Sequence, residues 1–257
     1  MNLHFALVAS AITAIATSLG ALPVFFINRV SQRTQDALMG FSAGVMLAAS
    51  SFSLIIPALR LFSEAYPNRM TSGLLVSLGI LLGAAFLHLC NRYVPHEHFF
   101  KGREGSPSPL VLKRIWLFVF AITLHNFPEG LAVGSGAGSQ NLAVALPILT
   151  GIALQDIPEG FVVAMALLSA KYSARLALGV AVLTGIIEAL AALLGYFATV
   201  QIQPLLPWTL AFAGGAMLYV VSDEIIPESH TKENSQFATA GLMVGFVLMM
   251  FLDTALG

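Results

Sequence analysis

The sequence has few of the residues on which soluble proteins and thiolate sites depend. Its 257 residues include a single cysteine, Cys90, and only 10% are charged, against 57% that are hydrophobic. Because a soluble domain carries about a quarter charged residues, a water-soluble globule is excluded. One cysteine excludes a disulfide framework, a cysteine-based zinc site and an iron–sulfur cluster. The net charge of −1 gives no reason to expect a nucleic-acid partner.

Long apolar runs dominate what is present. A helix needs about 20 apolar residues to cross a bilayer, and eight such runs occur, which predicts a single-domain, all-α integral membrane protein over residues 1–257. The first run follows no positively charged region, so we interpret it as a retained span and not as a signal peptide. The eight predicted spans are 3–27, 36–62, 71–94, 112–136, 141–168, 174–199, 206–227 and 236–256.

The Lys and Arg residues alternate between the two sides of the predicted membrane. Of the twelve, ten fall in loops on one side, and only Arg60 and Arg69 fall on the other. Because cytoplasmic loops carry the excess of Lys and Arg, both termini are predicted to be extracytoplasmic. Residues 95–111 form the longest loop and contain His96 and His98. Their composition predicts a mobile cytoplasmic segment.

Seven of the thirteen acidic residues fall within predicted spans. Three lie toward span ends, namely Asp223, Glu224 and Asp253, and four lie deep, namely Glu129, Asp156, Glu159 and Glu188. Each deep carboxylate costs about 3 kcal/mol even on a lenient insertion scale. No Lys or Arg lies at that depth, so the charge must be removed by protonation or balanced by a bound cation.

Two matching hexads favour the bound cation. Span four contains HNFPEG at residues 125–130, and span five contains QDIPEG 30 residues later, at 155–160. On a helix that advances about 100° per residue, the first, second and fifth positions of a hexad share one arc over about 6 Å of axis. Pro128 and Pro158 cannot donate to the carbonyl one turn earlier, which bends each helix at this level. Each hexad therefore presents half of a metal site, with candidate ligands His125, Asn126 and Glu129 on one span and Gln155, Asp156 and Glu159 on the other.

Glu188 is the seventh candidate ligand. It lies on a face of span six that carries Thr184, Gly185, Ala191, Ala192 and Gly195, and small residues let helices approach closely. We therefore expect Glu188 to meet the two hexads. Imidazole, carboxylate and amide ligands without thiolate suit Zn²⁺ and also Fe²⁺, Mn²⁺, Co²⁺ and Cd²⁺. Seven candidates exceed the needs of one tetrahedral ion, so a pair of ions bridged by Glu129 and Glu159 is an alternative to one.

Spans two and seven carry an inverted repeat. Both contain F-x-x-G-x-M-L followed by I-I-P, starting at Phe41 and at Phe212, with a difference of one residue in the spacing. The two spans run in opposite directions, and an inverted repeat around a midplane site is typical of transporters. Arg60 is a candidate partner for Asp253, which would make that carboxylate structural. The candidates for a transport pathway are Met46, Ser53, Asp223, Glu224 and Asp253, together with His96 and His98 in the loop.

The eight spans, the outward termini, the cytoplasmic third loop and the two Pro-Glu-Gly hexads resemble the ZIP (Zrt-, Irt-like) family of divalent metal transporters. The resemblance implies a non-enzymatic protein of the cell (inner) membrane that takes zinc into the cytoplasm. It also implies that spans one to three and six to eight are related by inversion around spans four and five, and that helices move as an elevator. The seven candidate ligands would form a two-metal centre. Many members have His-Asn where this sequence has Gln155-Asp156, and this oxygen-rich pair predicts tolerance of Cd²⁺, Mn²⁺ and Fe²⁺.

Three other functions are alternatives. An intramembrane metal-dependent hydrolase would need a general base, usually within H-E-x-x-H, and the sequence lacks that motif. A broad-specificity metal channel would use the same ligands, because a sequence does not reveal gating. A proton-coupled carrier of an organic substrate would leave the hexads without a role. The partners expected are divalent ions and the lipid bilayer, with a homodimer as a further hypothesis.

Overall fold

The chain folds into long helices that follow one another from end to end. The computed structural model describes residues 3–26, 31–93, 109–229 and 235–256, and every regular element within them is helical. The α-helices in these ranges are α1 (Leu3–Ala21), α2 (Gln32–Ala48), α3 (Ile56–Ala65), α4 (Arg69–Tyr93), α5 (Pro109–Gly138), α6 (Leu142–Ser169), α7 (Ala174–Gln201), α8 (Leu205–Val220), α9 (Ile226–Ser229) and α10 (Ser235–Leu256). A 3₁₀ turn, Leu22–Phe25, extends α1.

The predicted all-helical membrane fold is confirmed. α2 continues into α3 and α8 into α9, so the described residues form eight continuous helical rods. Seven stretches of these residues are long and apolar enough to cross a membrane, and the remaining rod, α5, has 30 residues. Each rod overlaps one predicted span, although α5 begins three residues before the predicted boundary at 112. Residues 95–108 of the predicted mobile loop lie outside the described residues.

Polar residues between the apolar runs start the helices. The side chain of Ser31 accepts a hydrogen bond from the backbone N–H of Thr34 before α2, at 3.2 Å. Asn141 caps α6 in the same way, through Ala143 at 3.0 Å, and Ser173 caps α7. Such caps satisfy N–H groups that the first turn of a helix leaves without partners. The short polar breaks that separated the spans in the sequence are thus the points where helices begin.

Two rods contain a π-helical segment at equivalent places. Ala49–Ile55 joins α2 to α3, and Val221–Ile225 joins α8 to α9. Each segment is followed by an Ile-Pro pair that starts the next α-helix, with Pro57 in the first rod and Pro227 in the second. Proline has no N–H to donate to the preceding turn, and π turns are frequent at functional sites. The segments fall where the two repeated motifs differ by one residue in spacing.

Close helix contacts place α5 and α6 in the interior. α7 packs on α5, α1 packs on both α6 and α7, and the outer pairs are α2 with α10 and α4 with α8. Glycine permits these approaches: a Cβ at Gly134 would overlap the carbonyl oxygen of Ala192 on α7, and one at Gly20 would overlap that of Ile157 on α6. Small residues are the usual means by which membrane helices pack. The two hexads are therefore held against α1 and α7.

Large apolar side chains cover the outside of the bundle. Those exposed on the long outer helices include Ile15 on α1, Leu81 on α4, Leu194 on α7 and Phe251 on α10. The interior is instead rich in alanine, glycine and hydroxyl side chains. This distribution is the one expected when the surrounding medium is lipid.

Candidate metal centre

The two hexads bring their acidic residues together at the contact between α5 and α6. Ligand atoms of Glu129, Asp156 and Glu159 all lie within 4.8 Å of one another, and all three residues are buried. The helices run without interruption through Pro128 and Pro158. Three carboxylates at this separation repel one another strongly in a medium of low dielectric constant. A cation between them would turn that repulsion into attraction.

The amides of the hexads link the two helices in a reciprocal way. Nε2 of Gln155 on α6 donates to Oε1 of Glu129 on α5. With its amide oriented as a donor, Asn126 on α5 reaches Oε1 of Glu159 on α6 at 2.9 Å and the carbonyl oxygen of Ile122 at 2.7 Å. Each glutamate is thus held by an amide from the opposite helix. One oxygen of Glu129, Oε2, has no hydrogen-bond partner among the described residues.

Glu188 on α7 lies beside this cluster. The residue is completely buried, and neither of its carboxylate oxygens has a hydrogen-bond partner among the described residues. Its charge acts on Glu129 and Asp156, and the hydroxyl group of Thr13 on α1 lies close to it. A Cβ at Gly130 would overlap the carbonyl oxygen of Glu188, so the glycine that ends the first hexad allows α7 to approach.

His125 occupies a different position from the three clustered acids. It is 4% exposed and is not a member of the group within 4.8 Å. Its side chain lines a cavity of about 30 Å³ together with Glu159, which is the most exposed member of the cluster. The other residues that line the cavity are Met39, Ser42, Ile122, Pro158, Val162 and Ile225. Glu159 therefore borders both the carboxylate cluster and the cavity.

The residues predicted to line a pathway have unlike environments. Ser53 donates a hydrogen bond to Oδ1 of Asp253 at 2.6 Å, which joins the end of the first π segment to α10. Met46 is completely buried in the main apolar core, whereas Asp223 is exposed. The side chain of Glu224, and both His96 and His98, lie outside the described part of the structure.

The predicted pair of Arg60 and Asp253 is wrong. Asp253 is bonded to Ser53, and Arg60 is exposed without an ion pair to Asp253 among the described contacts. A serine hydroxyl one helix away provides a neutral partner at short range, so the carboxylate does not need the arginine.

No cationic side chain that the structure describes lies inside the bundle. Arg33, Arg60, Arg69, Lys171 and Arg175 are all exposed. The carboxylates of the centre are therefore not neutralised by any of these five residues. A mobile cation or protons must supply the missing positive charge.

Sequence reasoning missed the burial of one polar residue and the position of another. Asp36, placed at a span edge by its position in the sequence, is only 1% exposed near the start of α2. Ser42, which lines the cavity beside His125, was not singled out at all. A helical projection of α2 would have placed Ser42 one turn from Met39 and Met46, but would not have shown which neighbouring helix faces that side.

Comparison with known proteins gives a consistent identification. Residues 101–253 match the family model described as ZIP Zinc transporter. The chain is 46% identical to zinc transporter GufA of Myxococcus xanthus, over 98% of both chains. It is 42% identical to zinc transporter ZIPB of Bordetella bronchiseptica, over its full length and 83% of that relative. It is also 32% identical to human zinc transporter ZIP11, over 94% of both chains.

The family comprises membrane transporters and not enzymes, in accord with the buried ligand cluster and the apolar outer surface of the bundle. The match covers more than half of the chain, and the relatives match nearly all of it. The chain belongs to the ZIP family of zinc transporters.

Proposed function

We propose that this protein carries divalent transition-metal ions, zinc above all, across the cell membrane into the cytoplasm. The ion is held in transit between α5, α6 and α7. The observation that carries the proposal is the convergence of Glu129, Asp156 and Glu159 in the interior of a membrane bundle. The relatives named as zinc transporters favour zinc, and the donor set also suits Cd²⁺, Fe²⁺, Mn²⁺ and Co²⁺.

Electrostatics explains why such a cluster serves an ion. Two carboxylates about 4 Å apart repel by about 4 kcal/mol at an effective dielectric constant near 20. A divalent cation placed among them gains attraction from every carboxylate at once. Release then requires only that protons or water compete for the same oxygens. The centre therefore binds and discharges its cargo without help from any cationic side chain that the structure describes.

A two-ion centre is the form that we propose. The candidate ligands are His125, Asn126, Glu129, Gln155, Asp156, Glu159 and Glu188. Glu129 and Glu159 belong to opposite helices and each has a carboxylate that two ions can share. Glu188 contributes two further oxygens that are fully buried. The amides of Asn126 and Gln155 would turn from their glutamate partners to the metal, because an amide oxygen is the ligating atom.

An inverted repeat of spans one to three and six to eight is part of the proposal. Gly44 of the first motif packs against the backbone of Leu242 on α10, and Gly215 of the second packs against that of Ile80 on α4. The first contact joins span two to span eight, and the second joins span seven to span three. In an inverted repeat span two corresponds to span seven and span three to span eight, so the two contacts are equivalent. The contacts of α1 with α6 and of α7 with α5 are related in the same way.

Charge and surface support the proposed orientation and surroundings of the protein. The excess of Lys and Arg in alternate loops supports extracytoplasmic termini. The exposed apolar faces support direct contact with lipid. A homodimer, the further partner hypothesis, would bury part of one such face, and light scattering of the detergent-purified protein measures whether it forms.

Uptake of ⁶⁵Zn into proteoliposomes tests the function. Glu129→Ala should reduce uptake to the level of empty vesicles, whereas the control Glu64→Ala, at an exposed position on α3, should retain it. Uptake should also fall on acidification, because protons compete for the carboxylates and the imidazole. Near-normal uptake by a correctly inserted Glu129→Ala protein would contradict the proposal.

A further inference from the structure

The cavity beside the carboxylate cluster has donor atoms that the hexads do not supply. Helix α2 contributes Met39 and Ser42 to its wall, opposite His125 and Glu159. A volume of about 30 Å³ exceeds the 10–15 Å³ or so that one water molecule requires. An ion with a water ligand therefore fits into the space between α2 and the hexads.

Ser42 differs from the three serines of the π segment in its rod. Ser50 and Ser51 donate to backbone carbonyls one turn earlier, at 2.6 and 2.9 Å, and Ser53 donates to Asp253. Ser42 is only 5% exposed, and its hydroxyl makes no hydrogen bond with any part of the chain that the structure describes. Because Ser42 lines the cavity, its hydroxyl group is available to a ligand there.

Met39 places a thioether in the same wall. Positions three apart on a helix lie on one face, and both Met39 and Ser42 line the cavity. Met39 is 9% exposed. Thioether sulfur is a soft ligand that favours ions such as Cd²⁺ and disfavours Mn²⁺. Together the two side chains offer one soft and one hard donor to an ion that already contacts the hexads.

The cavity lies on one side of the carboxylate cluster. On α5 the cavity is lined by His125 and by Ile122, one turn closer to the start of the helix, and on α6 by Glu159 and by Val162, one turn closer to its end. Both Ile122 and Val162 lie toward the side of the membrane that the distribution of Lys and Arg predicts to be cytoplasmic. An ion leaving the cluster toward the cytoplasm enters this space and can retain Glu159 as a ligand while it does so.

We propose that Met39, Ser42, His125 and Glu159 form a separate coordination position for soft or borderline divalent ions at the exit of the metal centre. This inference rests on the proposed transport function, because the ion it binds is the cargo. His125 and Glu159 are candidate ligands of the metal centre as well, so an ion can move to the exit position while it keeps these two ligands and gains Met39 and Ser42. The thioether of Met39 then helps to determine which ions the exit accepts.

X-ray absorption spectroscopy of the purified full-length protein tests the position. The protein carries Cys90→Ser, so that methionine is the only source of sulfur, and is loaded with excess Cd²⁺. We expect a cadmium–sulfur shell that is lost in Met39→Leu. The matched control Met249→Leu, at a buried position on α10 outside the cavity, should keep that shell.

The outcomes separate this inference from the transport function. Bound Cd²⁺ with only oxygen and nitrogen neighbours before any methionine change would overturn the exit position and leave the carboxylate centre intact. Failure to bind any metal would overturn the proposed function itself. Loss of the sulfur shell in Met249→Leu would also overturn the assignment to Met39.

Selectivity of transport is a second readout. Met39→Leu should lower the ratio of Cd²⁺ to Mn²⁺ uptake several-fold, because it removes the soft donor from the exit. Ser42→Ala removes a hard oxygen donor and should not lower that ratio. Met39→Leu preserves an apolar side chain of similar size, and Ser42→Ala removes only a hydroxyl group, so both variants are expected to fold. An unchanged ratio in Met39→Leu, or a fall of the same size in both variants, would overturn the proposal.

Discussion

The hexads on α5 and α6 end alike, and their common ending positions the helices. The glutamates of both belong to the carboxylate cluster. The glycine that follows each one allows a neighbouring backbone to approach: Gly130 packs against Glu188 on α7, and Gly160 packs against Thr17 on α1. The shared Pro-Glu-Gly sequence therefore combines a ligand with a point of close packing.

The two hexads begin differently, and this difference determines the donor atoms. His125 lines the cavity, whereas its counterpart Gln155 is completely buried and donates to Glu129. Asn126 holds Glu159, whereas its counterpart Asp156 adds a third carboxylate to the cluster. One hexad thus supplies the imidazole and the other supplies the extra negative charge. The first two positions of the hexads therefore have different roles on α5 and on α6.

The largest effect should come from the positions at which the hexads agree. Glu159→Ala should abolish ⁶⁵Zn uptake as completely as Glu129→Ala, because both carboxylates belong to the same cluster. Uptake is measured per molecule of inserted protein. If one variant kept substantial uptake and the other did not, the two glutamates would not be equivalent.

The glycines that end the hexads should affect stability next most. Gly130→Ala and Gly160→Ala each place a Cβ against backbone atoms, which no side-chain rotation relieves. Overpacking of this kind costs about 1–3 kcal/mol or more, so both should lower Tm in detergent. The controls Gly73→Ala and Gly179→Ala have open space around the new methyl group and should leave Tm unchanged or raised. Equal Tm values for all four variants would show that the close contacts are not needed.

The reciprocal amides should have intermediate effects on affinity. Asn126→Ala and Gln155→Ala each release one glutamate from its partner on the opposite helix. Each variant also removes one amide ligand from the proposed two-ion centre. Loss of a group that only orients a metal ligand already weakens binding by about 10-fold to 100-fold, so at least this reduction in Zn²⁺ affinity is expected. Isothermal titration of the purified protein with Zn²⁺ measures the change. If the affinity for Zn²⁺ fell in only one of the two variants, the two amides would not contribute equally to metal binding.

The smallest effect should be on selectivity at the positions where the hexads differ. Combining Gln155→His with Asp156→Asn gives the second hexad the same first two residues as the first. Imidazole is a softer donor than carboxylate, so zinc should outcompete Mn²⁺ several-fold more strongly than in the native protein. Competition of unlabelled Mn²⁺ with ⁶⁵Zn uptake measures the ratio. A shift toward Mn²⁺ would contradict the roles assigned to the two residues.

Much of the centre could be predicted because helical spacing is a local property. The angular positions of residues 125, 126 and 129 follow from the geometry of one helix, and so do those of 155, 156 and 159. What could not be predicted was how the helices are rotated against each other. That rotation separates His125 from the carboxylate cluster, buries Asp36 and pairs Asp253 with Ser53 instead of Arg60.

The amino-acid sequence alone determined that this chain forms eight apolar helices and carries acids within them. The length, the hydropathy and the residue spacing of each helix depend only on its own stretch of sequence. Tertiary packing decided which donors share a space. Glycines such as Gly130 and Gly134 bring α7 against α5, and only that approach places Glu188 beside acids that lie more than two dozen residues away in the sequence. The depth and rotation of one helix against another depend on all their contacts together, which no local pattern records.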